Sequence, residues 1–416
     1  MTDPAAPFDR SLVPPALLDV DLDALTGEFG TPLFVYDEDH LRARCREFAA
    51  SFGAGNVAYA GKAFLCVAMA RLVAEEGLKL DVATGGELHV ALRAGFPADR
   101  LVFHGNNKSD VELTAARDAG VGVVVADSFA ELDRLEWTNF RGDVFVRVTP
   151  GVEAHTHEYI ETGTDRSKFG FSVTKGDALA AVRRVVEAPG LRFGGIHCHI
   201  GSQVFRLDSC ARAAAVVVAF ADACERETGA EVPVLNLGGG LGVRYLTEDP
   251  VLEVADYAKV LHEAVGDRTV MVEPGRAIAG AAGITVYRVG TIKEIRDVAT
   301  YVAVDGGMSD NPRPVLYGAG YEAYLPALID APRPLVASIA GKHCEQGDVI
   351  VTDAHLPESV AVGDLLVTPV TGAYGYSMAS NYNKVARPAV VFVRAGKPRL
   401  VIRRETADDL VRLDQP

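Results

Sequence analysis

The sequence predicts an α/β barrel of the (β/α)8 TIM type followed by an antiparallel β domain. Three observations carry that expectation. Between about residue 56 and residue 276, short apolar runs alternate with helical stretches, the pattern of parallel strands covered by helices. From Ala281 onward the pattern changes to alternating segments broken by Gly, Pro and Asp, which is how a half-exposed antiparallel sheet reads. At 416 residues the chain is also too long for one ordinary core, so two domains are the default.

Taken in order, the barrel strands are 57–62, 78–84, 101–105, 122–127, 144–150, 193–201, 232–240 and 269–275. Most are continuous apolar runs rather than alternating ones. Helical patterns fall between them, such as 63–76, 86–94, 110–119, 177–187, 208–226 and 254–265. Eight such β/α repeats over roughly 220 residues point to a closed barrel. A Rossmann sheet is the alternative, because Gly238-Gly-Gly-Leu-Gly242 looks like a dinucleotide loop. It does not match G-x-G-x-x-G, and no acidic residue follows at the right strand end. The β domain takes 284–289, 300–305, 364–369, 389–395 and 400–405. The expected limits are an N-terminal segment, 1–32, packing with the β domain, a barrel domain, 33–280, and a β domain, 281–416.

Composition excludes several classes of partner. Net charge is −15, from 41 basic and 56 acidic residues, which argues against nucleic acid or an anionic membrane. The cysteines (Cys45, Cys66, Cys198, Cys210, Cys224, Cys344) show no CxxC pair, so neither a disulfide framework nor a zinc knuckle is expected and a reducing cytoplasm fits. Met1-Thr-Asp-Pro-Ala-Ala-Pro has no basic region followed by an apolar core, so no signal peptide is expected. No run reaches the ~20 apolar residues of a membrane helix.

In a TIM-type barrel the functional rim lies at the C-terminal ends of the strands. On this register Lys62, Thr84, His104, Asp127, His199, Gly238 and Glu273 all fall there. Singly, each has an ordinary explanation. A lone lysine is usually solvated, although that explanation weakens at the end of the buried run Asn56-Val-Ala-Tyr-Ala-Gly-Lys62. Glu273, in Glu273-Pro-Gly-Arg276, can be a plain ion-pair partner, and Gly238-Gly-Gly a plain turn. Together, a lysine able to form a Schiff base and a carboxylate able to hold a ring nitrogen protonated are what a protein supplies to pyridoxal 5′-phosphate. Three small residues also let backbone N–H groups approach a phosphate. His197 and His199 share one face of a strand, and His155 and His157 repeat that spacing. Alternating histidines suit a metal, but no strong carboxylate cluster is apparent nearby, so no metal is expected. His199 is read instead as a ring stacked on the cofactor, with Ser202 beyond it donating to the phosphate; His155 and His157 are read as a solvated loop.

Tyr59-Ala-Gly-Lys-Ala-Phe64, His104-Gly-Asn-Asn-Lys-Ser109, His197-Cys-His-Ile-Gly-Ser-Gln203, Gly238-Gly-Gly-Leu-Gly242 and Glu273-Pro-Gly-Arg276 resemble the pyridoxal-phosphate-dependent decarboxylases of the alanine-racemase-like barrel class. The runs Asp305-Gly-Gly-Met-Ser-Asp310, Arg313-Pro-Val-Leu-Tyr317, Gly341-Lys-His-Cys-Glu345 and Gly372-Ala-Tyr-Gly-Tyr-Ser-Met-Ala-Ser-Asn-Tyr-Asn383 are similar to the diaminopimelate decarboxylase family. The resemblance covers nearly the whole chain, in order. It implies that Lys62 is the Schiff-base lysine, His199 the ring-stacking residue and Glu273 the partner of the ring nitrogen, with Gly275 and Arg276 also in the cofactor site. Ser202, Gly238, Gly239, Gly240 and Tyr374 would hold the phosphate. Arg276, Arg313 and Tyr317 would bind the distal carboxylate of the substrate, with Tyr374 also in contact. Cys344 would be the proton donor and Glu345 would bind the distal ammonium, both reaching in from the partner subunit of a homodimer.

The implied reaction releases CO2 from the D-centre of meso-2,6-diaminopimelate to give L-lysine, the last step of lysine biosynthesis. Two arginines and a tyrosine suit a fixed carboxylate, which an ornithine decarboxylase does not need. A carboxylate at the ring nitrogen, where alanine racemases place an arginine, favours decarboxylation. One departure stands out: the family reads Cys-Glu-Ser where this chain has Cys344-Glu345-Gln346, and Tyr376 is bulky beside the expected pocket. Two alternatives follow, a same-fold decarboxylase of another amino acid in secondary metabolism and a catalytically dead cofactor-binding regulatory homologue. Retention of Lys62, Glu273 and Cys344 speaks against the second.

Overall fold

The structure, a computed structural model, describes residues 6–151, 167–199 and 201–415; His155 and His157 lie outside them. The chain divides into two units. One comprises 42–242 and 251–277; the other comprises the described residues up to Leu41, 243–250 and 278 onward.

The first unit is the barrel. Strands Ala58–Ala60, Lys79–Val82, Leu101–Phe103, Val123–Ala126, Asp143–Thr149, Arg192–Cys198, Val234–Asn236 and Thr269–Met271 pair in parallel in chain order. The last closes on the first: Val272 bridges Val57, and the Ala58 N–H donates to the Val272 carbonyl at 2.9 Å. Helices begin where capping side chains stand. Thr84, Ser109 and Ser128 each accept a backbone N–H at the start of Gly85–Ala94, Asp110–Ala119 and Phe129–Trp137, and left-handed Gly95 and Gly120 end the first two. Ala58, Val102, Val123, Val125, Phe145 and Met271 form an apolar interior layer. Two residues further along the same strand faces come His104, Asp127, Arg147 and Glu273. The interior therefore turns from apolar to charged toward the C-terminal strand ends.

The second unit is built on a mixed sheet in the order Val349–Leu356, Leu335–Ala340, Ala299–Val304, Gly283–Ile295, Leu33–Asp37, Ala389–Arg394, Lys397–Ile402, with Leu365–Thr368 also on Gly283–Ile295. Most pairs are antiparallel, as expected. Two are parallel: Leu33–Asp37 with Ala389–Arg394, and Ala299–Val304 with Leu335–Ala340. Three stretches read above as barrel belong here instead, namely Leu33–Leu41, 243–250 and 278–280. The first does so because Leu33–Asp37 makes its hydrogen bonds to 283–286 and 389–393 rather than to a barrel strand. The N-terminal segment packs on the same unit, with the Phe8 ring stacked on Tyr324 at 4.4 Å. Among the described residues no helix is long and apolar enough to cross a membrane.

Candidate active site

The barrel brings one group of the expected residues to the C-terminal rim. Lys62 lies in the 3-10 turn Gly61–Ala63 that directly follows strand Ala58–Ala60, with its side chain exposed. Glu273 follows the neighbouring last strand and is 6% exposed. Its Oε1 accepts from His104 Nε2 and from Asn236 Nδ2, both at 2.7 Å, and its Oε2 lies 3.0 Å from His197 Nε2. Burial alone would raise its pKa, but His104, together with the hydrogen bond from His197, outweighs burial and holds the carboxyl well below its usual range. The two histidines shift in opposite directions. Burial opposes charge on His104, yet Asp81, 3.9 Å away, and Glu273 together raise its pKa. Burial wins at His197, which falls to about 4 and is neutral near pH 7. His104, His197 and Glu273 each place a donor atom within 4.8 Å of the others. A cation could also bridge that spacing, but it would displace the hydrogen bonds that Glu273 already makes with both histidines.

His199 closes strand Arg192–Cys198. Burial, followed by the charges of Lys62 and Arg147, holds its pKa well below the usual imidazole value, so the ring is neutral. The Gly239 N–H donates to its Nδ1 at 3.2 Å, which leaves the ring proton on Nε2 and fixes the orientation of the ring. The loop at 238–240 is tied to the same residues: Asn236 Oδ1 accepts from the Gly238 N–H at 3.0 Å, and the Gly238 carbonyl accepts from the Glu273 N–H at 2.8 Å. Gly238 has φ +68°, and a Cβ there would stand 2.7 Å from both the Cys198 carbonyl and His199 Nδ1. Only glycine fits, and the bare backbone it leaves is the cradle that a phosphate needs. Ser202 Oγ accepts from Arg276 Nη2 at 3.1 Å and Nε at 3.3 Å. Gly275 packs against the first strand, where a Cβ would come 3.0 Å from that of Ala60.

An ionised buried carboxylate, a lysine on the adjacent strand, a neutral ring of fixed orientation and a glycine cradle fit pyridoxal 5′-phosphate in its parts. The sequence reading gives no role to Asp81, Asn236 or Arg147. Arg147 is buried, with its guanidinium 4.2 Å over the Phe169 ring and 3.8 Å from Asp127.

The other expected residues lie in the sheet unit. Arg313 opens helix Arg313–Tyr317 and is buried, with Nη1 donating to the Tyr321 hydroxyl at 2.5 Å and the guanidinium 4.5 Å over the Tyr245 ring. Burial disfavours its charge, but Tyr245 and Tyr321 raise its pKa. Tyr321 and Tyr245 are absent from the sequence reading, and no motif marks them. Tyr317 and Tyr374 are half-buried, and Tyr374 has φ +61°. Cys344, Glu345 and Gln346 are exposed on the turn between Leu335–Ala340 and Val349–Leu356.

Comparison with known proteins extends this picture. Residues 38–280 match the family described as pyridoxal-dependent decarboxylase, pyridoxal binding domain. The chain is 51% identical over 417 residues to diaminopimelate decarboxylase of Mycobacterium tuberculosis, covering 95% of this chain and 93% of that one. Among solved structures, diaminopimelate decarboxylase of M. jannaschii in complex with L-lysine superposes with a TM-score of 0.88 at 33% identity, covering 95% of this chain and 94% of that one. The Helicobacter pylori enzyme complexed with L-lysine gives 0.88 at 30% identity, over 95% and 99%.

Proposed function

Because the chain belongs to the diaminopimelate decarboxylases, within the pyridoxal-dependent decarboxylase family, we propose that it releases CO2 from the D-centre of meso-2,6-diaminopimelate to give L-lysine, with pyridoxal 5′-phosphate as cofactor. The observation that supports the reading most is the buried Glu273, kept ionised by His104, His197 and Asn236 one strand away from Lys62. A carboxylate there keeps a proton on a ring nitrogen, whereas a cation would remove it.

When bound, pyridoxal 5′-phosphate supplies an electron sink for the charge left at Cα as CO2 departs. Lys62 would hold its aldehyde carbon and Glu273 its ring nitrogen. His199 would cover one face of the ring, and Ser202 with Gly238, Gly239, Gly240 and Tyr374 would hold the phosphate, beside Gly275 and Arg276. The rest is binding and proton handling by the chain. Arg276, Arg313 and Tyr317 would grip the distal carboxylate, with Tyr374 against the substrate. The Tyr245 ring and the Tyr321 hydroxyl already orient the Arg313 guanidinium, so little of its freedom remains to be lost on binding. The Cys344 thiol would return a proton to Cα and Glu345 would bind the distal ammonium, both from a second copy of the chain, so that a homodimer shares its sites. All six cysteines are unpaired, which suits a cytoplasmic setting.

The test is a substrate panel: visible absorption of the purified protein, then CO2 release with meso-diaminopimelate, ornithine, lysine and arginine in turn. Lysine has no second carboxylate, and a site built around charged donors is left with them unpaired at about 3 kcal/mol. It should be decarboxylated at least about a hundredfold less efficiently than the diacid. Arg313→Ala should narrow that gap by harming the diacid. Equal turnover of lysine or ornithine would transfer the reading to a decarboxylase for another amino acid.

A further inference from the structure

The turn that carries Cys344 and Glu345 is held at its base by one side chain. Asp348 is 4% exposed and both its oxygens are engaged: Oδ1 accepts from the Met308 N–H at 2.6 Å and Oδ2 from the His343 N–H at 2.8 Å. Its backbone closes the turn as well. The Asp348 carbonyl accepts from the Gly341 N–H at 2.8 Å, and the Asp348 N–H donates to the Glu345 carbonyl at 3.1 Å. A further bond, from the Lys342 N–H to the Gly306 carbonyl at 2.9 Å, ties the same two segments. Space gives a second, independent mark of the same contact. A Cβ on Gly341 would overlap the Asp348 carboxylate, and one on Gly307 would lie 2.6 Å from both of its oxygens. Above this base, His343 Nε2 lies 2.8 Å from Ser309 Oγ, and Asn383 Oδ1 accepts from the Cys344 N–H at 3.1 Å.

We propose that Asp348 is a positioning residue whose carboxylate clamps the 306–308 segment to the 341–345 turn and thereby fixes where Cys344 and Glu345 point. The inference rests on the roles proposed above for those two residues. The chemistry requires a carboxylate. Both oxygens face N–H donors, so an asparagine, whichever way its amide is flipped, must turn NH2 toward one of them. Asp348→Asn preserves the volume and leaves a buried N–H without an acceptor.

On the single chain Cys344 is the one exposed cysteine of the six, and in the proposed homodimer it enters the partner's site, so its alkylation reports, without any catalysis, whether the turn holds it there. The experiment treats the intact holoenzyme with iodoacetamide and follows Cys344 by peptide mass spectrometry, alongside kcat, the visible absorption of the cofactor and the circular-dichroism melt. In Asp348→Asn, alkylation of Cys344 should quicken several-fold and kcat should fall about 10- to 100-fold, the scale of a misplaced group, with the cofactor spectrum unchanged. Ser309→Ala removes only the hydroxyl partner of His343 and should move both readings the same way by less. Alkylation and kcat both unchanged in folded Asp348→Asn overturn the proposal; if that variant does not fold, unchanged readings in Ser309→Ala do so. Cys344→Ser separates the clamp from the role of the thiol. Quickened alkylation in Asp348→Asn with a fully active Cys344→Ser supports the clamp and removes the catalytic role of the thiol. An inactive Cys344→Ser with an unaltered Asp348→Asn does the reverse.

Discussion

Replacing Glu273 by glutamine asks whether the barrel maintains the charge of this side chain or only its shape. Oε1 takes two donors, His104 and Asn236, and Oε2 takes one, His197. A glutamine can keep its carbonyl oxygen at the doubly served place and turn its NH2 toward His197. That histidine is neutral, with a pKa of about 4, so its tautomer can switch and its Nε2 can accept. The lost quantity is charge. A hydrogen bond to an ionised acceptor contributes about 1.5–3 kcal/mol against about 0.5–1.5 for a neutral one. The difference, about 1 kcal/mol for each of three bonds, comes to about 3 kcal/mol. Removing a buried charge returns several kcal/mol of desolvation, so the cofactor-free variant should melt within a few degrees of the wild type. Nothing offsets the loss at the cofactor. A ring nitrogen deprived of an ionised partner should bind about 1.5–3 kcal/mol more weakly, roughly 10- to 100-fold in Kd. Titration of dialysed protein with pyridoxal 5′-phosphate, followed by visible absorption, measures that term; CO2 release should fall at least about a hundredfold. A Glu273→Gln protein that binds cofactor and turns over within about threefold of wild type would refute the reasoning.

Two further outcomes follow. Mixing inactive Lys62→Ala and Cys344→Ala proteins, with subunit exchange verified by mass, should restore up to about a quarter of the sites if each site takes residues from both copies of a two-fold assembly; no recovery despite exchange means that each chain builds its own. Burial, with Asp348 and Asp305 adding to it, pushes Asp310 up to about 7 from an ordinary 3.8. Below 3.8 it is protonated in both states. As pH rises toward 7 the unfolded chain releases a proton that the folded chain keeps, so stability falls across that window, by up to about 4 kcal/mol. Asp310→Asn retains partners for the Gly307 N–H and the Tyr287 hydroxyl. In urea melts it should be the more stable protein at pH 8 and equal to wild type below pH 4. Taking the difference cancels the opposing contribution of His197, and equal stability at pH 8 would count against the burial argument.

What the sequence makes legible follows strand geometry. Parallel strands buried on both faces appear as unbroken apolar runs, so 122–127 can be read directly, and the rim positions of Lys62, His199 and Glu273 follow from the strand ends. The surroundings of Glu273 are a different matter. His104, His197 and Asn236 come from separate regions of the chain, and only their three-dimensional arrangement brings them to one carboxylate. His104 carries a signal, since it stands at a strand end; Asn236 carries none beyond lying two residues before Gly238. Leu33–Asp37 misleads for the opposite reason. The expected boundary at residue 33 puts these five buried residues in the barrel domain, and nothing local says that they form a strand whose partners are 283–286 and 389–393. The strands Leu335–Ala340 and Val349–Leu356 escape notice because their burial is patchy and small residues such as Ala337, Ser338 and Ala340 interrupt them.

The place of Leu33–Asp37 in the middle of its sheet has a consequence for how the chain is made. It leaves the ribosome early, while its parallel neighbour Ala389–Arg394 follows about 350 residues later, an interval of roughly 20–70 s at about 5–20 residues per second. The barrel residues, 42–242 and 251–277, are complete well before that interval ends. The barrel can therefore close while the early strand waits with its hydrogen-bonding edges uncovered, a long-range pairing of the kind that folds slowly. A fragment stopping after the barrel carries an orphan strand, and one starting at 281 lacks the centre of its sheet. The last strands to be synthesised release the first from exposure.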